Sequence, residues 1–290
     1  MENTPEIWAY MLARAQAALA AGAPGTAAYS RLAHEREALS IACGLCTGTA
    51  RPLHADLTFA LPRILSCQTR VQKKQTLYAR QGKTDAVLEA AAAALDDARR
   101  QLEQALAETP RCWLDEVRER ARRGDQILFS QSSLLLQDLA AALETQSRRA
   151  VTLWALEQAQ IVAERLVRAH PAETCPVDTV AAARAWAAGQ IRMPQAKRAI
   201  LACHALARQW PDDPANAALC HAVAQGCSTV HTTGHALGLP IYELTALVYQ
   251  QGIPGCRGAA EARAADYRQR LLYWQQHAPS YAGPWAPFLR

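Results

Sequence analysis

Residues 85–108 read DAVLEAAAAALDDARRQLEQALAE, and their spacing decides the fold class. Leu88, Ala91, Leu95, Ala98, Leu102 and Ala105 recur at alternating steps of three and four. On a helix such positions form one stripe, the seam of a heptad pattern, whereas a strand would need strict alternation. The stripe predicts a helix that packs along another helix. Packing inside a bundle of this chain is one reading. Self-association through a free-standing coiled coil, which would make the chain a scaffold, is the other. Gln81-Gly82 ends the preceding helix, and Thr84 is the expected N-cap, with Asp85 favouring the first turn.

The rest of the chain agrees with this helical reading. Of 290 residues, 50% are apolar, mostly Ala and Leu, while Phe occurs three times. Ala and Leu lose little entropy in helices, and no sustained alternation suggests a sheet. The expected fold is all-α, a multi-helix bundle of about ten helices forming one or two helical subdomains. Helices are expected over 5–21, 26–46, 55–80 with a break at Pro62, 110–124, 126–144, 147–169, 177–188 and 194–210. A further helix should run from near Ala215 until Pro240 breaks it, and a last one over 259–277. Long charge-rich helices give way to shorter alanine-rich ones between Arg123 and Ser132. The expected organisation is therefore an amino-terminal helical region, 1–125, followed by a domain over 126–290. Residues 278–290, rich in Pro and aromatics, should form a surface strap.

The net charge of +5 is spread along the chain. The densest basic run, Arg111 to Arg123, interleaves Asp115, Glu116 and Glu119, with Glu116–Arg120 and Glu119–Arg123 at ion-pairing spacing. A solvated helix face follows, and nucleic-acid binding is not expected. No apolar run reaches the roughly 18 residues of a membrane span. The start, MENTPEIWAYMLARAQ, lacks a basic segment followed by an apolar block, so a cytoplasmic location is expected. Nine cysteines in a chain of this size read as reduced thiols. Cys43-Gly44-Leu45-Cys46 has redox or metal spacing, but it falls late in a helix with no second pair.

Residues 175–252 carry the local chemistry. If one helix continues through them, Cys220, Cys227, His231 and His235 share a stripe, and His204 on the preceding helix could face it. His204, Cys227, His231 and His235 are thus a candidate metal set, with zinc as the cofactor of a metal-dependent helical enzyme. The competing reading makes these histidines hydrogen-bonded packing residues, with Gly226 and Gly234 admitting a neighbouring helix. No Glu follows His231 directly, so the metalloprotease pattern is absent. The nearest downstream acid for orienting a catalytic histidine, Glu243, lies beyond Pro240. Trp154 and Trp186 are expected to pack between helices.

Four words in order carry a resemblance: RRAVTLWA at 148–155, AAARAWAAG at 181–189, ACHALAR at 202–208 and VHTTGHA at 230–236. Over about 134–250 the chain resembles a family of bacterial immunity proteins described as type-five-immunity-like and associated with polymorphic toxin systems. After Trp154 that family usually continues Asp-Cys-Ala-Glu, where this chain has Leu156-Glu157-Gln158-Ala159. The resemblance implies a helical protein that binds a cognate, co-encoded toxin and neutralises it by occlusion. It implies no catalytic residue and no cofactor. Residues 1–125 have no counterpart in it.

Overall fold

The alanine–leucine bias is realised as helix nearly throughout. A computed structural model describes residues 4–289, and among these it contains twelve α-helices and no strand. The chain divides into two units between Asp115 and Glu116, inside the fifth helix.

The first unit is built on four long helices: α1 (Thr4–Ala20), α2 (Ala27–Cys46), α3 (His54–Arg80) and α4 (Ala86–Glu108). The heptad seam of α4 is used within the unit. Leu88, Ala91, Leu95, Ala98 and Leu102 are buried, against a core that includes Trp8, Leu39, Leu57 and Ile64. The N-cap of α4 is Asp85 rather than Thr84; its carboxylate accepts from the amides of Val87 at 3.0 Å and Leu88 at 3.1 Å. A carboxylate there also meets the positive end of the helix dipole, which a Thr hydroxyl does less well. α3 runs unbroken through Pro62. Pro62 and Thr58, whose carbonyl it cannot serve, are both exposed residues, and the Arg63 guanidinium donates to the Phe59 carbonyl at 2.6 Å. Asp115, in α5 (Trp113–Arg123), is buried and accepts from the amides of Ala55 at 2.7 Å and Cys112 at 2.6 Å. One carboxylate thus satisfies orphan amides at the starts of both α3 and α5.

The second unit contains α6 (Gln137–Glu144), α7 (Arg148–Ala169), α8 (Cys175–Ala187), α9 (Met193–Leu206), α10 (Pro214–Ser228), α11 (Gly238–Gln251) and α12 (Arg257–His277). α7 and α10 form its centre; α7 packs against α8, α10, α11 and α12, and α10 against α8, α9 and α11. Gly226 permits the closest approach. A Cβ there would lie 3.0 Å from the Ala159 Cβ, 3.2 Å from the Ala155 carbonyl and 2.5 Å from Leu239 Cδ1. The close-packing role expected of Gly226 holds. Gly234 has nothing within 4 Å of such a Cβ and lies in an exposed turn.

Two expected helices are cut short. Residues 126–133 are not helical: the Leu128 amide donates to Thr245 Oγ1 at 3.1 Å, and the Tyr249 hydroxyl donates to the Gln126 carbonyl at 3.0 Å. Ser130 and Ser133 bond each other's local groups, the competition that disfavours helix interiors. The helix beginning at Pro214 stops at Ser228, and Pro240 stands in the first turn of α11, where its missing N–H costs nothing. The tail packs against this unit. The Ala286 amide donates to the Ala187 carbonyl at 2.8 Å, and Arg149 donates to the Tyr281 carbonyl at 2.7 Å.

Candidate functional site

The candidate residues sit where α9, α10 and α11 meet, and their placement follows from how α10 ends. The Ser228 hydroxyl donates to the Ala224 carbonyl at 2.8 Å, and the Thr229 hydroxyl to the Gln225 carbonyl at 3.3 Å. Beyond the last turn the carbonyls of Val230 and His231 accept from Arg148 Nη2, at 3.2 Å and 3.3 Å. The expected stripe is therefore broken. Cys220 and Cys227 lie on α10, fully buried, while His231 and His235 lie beyond its end.

Each histidine has its own setting. The His231 ring stands 4.4 Å from that of Trp186, and neither ring nitrogen has a hydrogen-bond partner among the described residues. Burial, then His235, Lys197 and Arg148, lowers its pKa. His235 is exposed in a short 3₁₀ turn, its Nδ1 3.0 Å from Gln225 Oε1. His204 does face α10, but it meets His221, Nδ1 to Nδ1 at 2.9 Å, so one ring donates and the other accepts. Burial, then His221 and His235, brings His204 down to about 4, and burial also lowers His221. Burial pushes the Cys227 thiol well up. Among the described residues, no group of three or more His, Cys, Asp or Glu side chains is placed to hold a metal ion. His204, Cys227, His231 and His235 do not come together as a ligand set.

The chemistry open to the histidines is accordingly narrow. His204 and His221 are neutral at neutral pH, and the hydrogen-bond partners found for His204, His221 and His235 include no carboxylate. A general base of this kind would lack an orienting acid. Glu243, the acid nearest downstream in sequence, is engaged elsewhere. It is buried on α11 and accepts from Arg263 Nε at 3.2 Å and Nη2 at 3.0 Å and from the Tyr267 hydroxyl, with Arg165 at 3.2 Å. This joins α7, α11 and α12. Glu157 repeats the device on α7, accepting from Arg270 and, at 2.9 Å, from Trp274 Nε1. Nothing in the local sequence around Glu243 or Glu157 signals these partners, more than a helix away.

Beside the imidazole pair lies a cleft of about 320 Å³, lined by His221, Tyr242, Tyr249, Trp210 and Arg208 together with Gln126 and Ile127. The Tyr242 and His221 rings lie tilted against each other, with centroids 5.1 Å apart. The Trp210 indole N–H is buried without an acceptor among the described residues. Sequence reading missed this cleft, since its aromatics come from three separated segments.

Residues 141–271 match the family model described as "Imm-5 like putative immunity protein". The match runs from within α6 to near the end of α12; it starts later than the resemblance read from the words, at 141 against about 134, and ends later, at 271 against about 250. The first unit lies outside it. No curated protein and no solved structure matches the chain. The structure gives physical roles to the matching words. Arg148 holds the turn after α10, Arg149 holds the tail, and Arg184 donates to the Leu156 carbonyl at 3.3 Å. Trp154 is fully buried, and its Nε1 donates to the Tyr267 carbonyl at 3.0 Å. These residues build the scaffold. The thiols of the Cys43/Cys46 pair are both raised by burial, Cys46 to about 11, so both stay protonated at neutral pH. Among the described residues no helix is long and apolar enough to cross a membrane.

Proposed function

We propose that this chain is a cytoplasmic immunity protein of a bacterial polymorphic toxin system, which binds a co-encoded toxin and neutralises it by occlusion. The family match over 141–271 is the observation that carries this reading. The geometry is compatible with it: the family's words brace helices, and among the described residues the hydrogen-bond partners of His204, His221 and His235 include no carboxylate. The cleft beside His221 is where an anchor side chain of the toxin would seat. It combines aromatic walls, an arginine and an indole N–H awaiting an acceptor, the composition of interface hot spots.

Co-expression with the product of the adjacent toxin gene tests the reading. Growth should be rescued, and the purified proteins should form a complex. Arg208→Glu, at an exposed position, should weaken that complex by tenfold or more without changing the melting temperature. Absence of binding to every neighbour-encoded toxin refutes the proposal. Tight binding that ignores Arg208→Glu moves the contact away from the cleft.

A further inference from the structure

The four-helix unit has an open cleft of about 370 Å³, lined by residues from α1, α2, α3 and α4. This is within the size range of small-molecule sites, about 300–1,000 Å³. Its floor is apolar and belongs to the core: Leu39, Leu88 and Leu95 are buried there, with Met11, Val71 and Val87 beside them. Small side chains line it on α1 and α4: Ala15, Ala18 and the buried Ala91.

The charged residues lining the cleft are Arg14, Arg70, Lys74, Glu35 and Asp85. Two carboxylates are already engaged. Glu35 pairs with Arg70 at 2.6 Å, and Arg70 also donates to Cys67 Sγ at 3.1 Å. Asp85 caps α4. Arg14 donates only to the Tyr10 hydroxyl on its own helix, at 3.1 Å, and Lys74 stands 5.2 Å from the Tyr78 ring centroid. Neither has a carboxylate partner among the described residues. An apolar pocket thus opens between two uncompensated cations on different helices.

From this arrangement we infer that residues 4–115 form a binding site for a small anionic amphiphile, a monomer with one carboxylate head and an aliphatic tail. The tail enters among Leu39, Leu88 and Leu95. The head stays at the mouth, where Arg14 and Lys74 supply charge and hydrogen-bond donors. The Glu35–Arg70 pair holds one wall and leaves the other two cations to the ligand. A cationic amphiphile would place its charge against Arg14 and Lys74, and the site discriminates against it. This inference is independent of toxin binding, since the whole site lies outside the family match.

Calorimetric titration of the full chain with octanoate, octylammonium and octanol tests it. Octanoate should bind one to one, at least tenfold tighter than either of the others. Arg14→Gln/Lys74→Gln, both at exposed positions, should lower octanoate affinity by tenfold or more and leave octanol unchanged. Ala91→Phe should fill the cleft and abolish binding of all three. If that variant does not fold, the charge variant decides alone. No octanoate binding, equal binding of octylammonium, or an unaffected double variant overturns the inference. So does sedimentation with phosphatidylglycerol vesicles without octanoate binding, which would make the cations a lipid-surface patch.

Discussion

The four-helix unit and the unit from Glu116 onward are both alanine-rich and helical, yet they are held together differently. In the first, much of the side-chain polar pairing is local, as in Arg99–Glu103, Arg100–Asp97 and Gln101–Asp97, and the core is a continuous apolar seam. In the second, helices are joined by buried and half-buried polar contacts between distant positions: Glu243 with Arg263, Glu157 with Arg270, Trp154 with Tyr267, Arg148 with Val230. A periodic seam needs only an apolar partner of the right shape. A buried carboxylate needs particular donors in particular places, and loses heavily without them.

The largest effect should come from breaking that network. Glu243→Ala leaves Arg263 and the Tyr267 hydroxyl without their acceptor, and should destabilise the protein by about 3–5 kcal/mol in urea denaturation. A loss below about 1 kcal/mol would mean the network is incidental and the second unit relies on apolar packing like the first. Next is the seam. Leu102→Ala removes a fully buried side chain and should cost about 2–5 kcal/mol. A smaller loss, with dissociation of an oligomer, would return the seam to the coiled-coil reading.

Gly226→Ala should cost about 1–3 kcal/mol, because its Cβ meets Leu239 and two groups of α7, while Gly234→Ala should be near neutral. Equal effects at the two glycines would show that α10 and α7 do not approach as described. At the start of α4, Asp85→Ala should cost about 0.5–2 kcal/mol and Thr84→Ala much less. The smallest effect is on pH dependence. His204 has a folded pKa lowered to about 4, so between that value and the ordinary histidine range the unfolded chain binds more protons. Its contribution to stability is complete at neutral pH and declines as pH falls from about 6.5 toward 4. His204→Gln should flatten the melting-temperature profile across that window. An unchanged profile would remove His204 as the titrating group.

The same contrast explains what was legible in advance. The heptad positions of α4 and the breaker clusters placed the first four helices to within a residue or two, since propensity, caps and period are local quantities. Around the candidate site this logic misled. Residues 220–235 have helical spacing, but Ser228, Thr229 and Arg148 end the helix, and Arg148 comes from a different helix. Pro240 read as a terminator because the sequence does not say on which side of it a helix begins. His204 does face α10, but its partner there is His221, next in sequence to Cys220 and so about 100° around the helix from the expected stripe.

The sequence by itself determined an all-helical chain, a seam by which α4 packs along another helix, and the words that fall within residues 141–271, which match an immunity-protein family model. Each is written in spacing or residue size along one segment. Only the tertiary structure decided that His204, Cys227, His231 and His235 stand apart, that Glu243 and Glu157 tie α7 to its neighbours, and that a cationic-mouthed cleft opens in the first unit. These depend on which side chains from distant segments meet, and no local periodicity encodes that meeting.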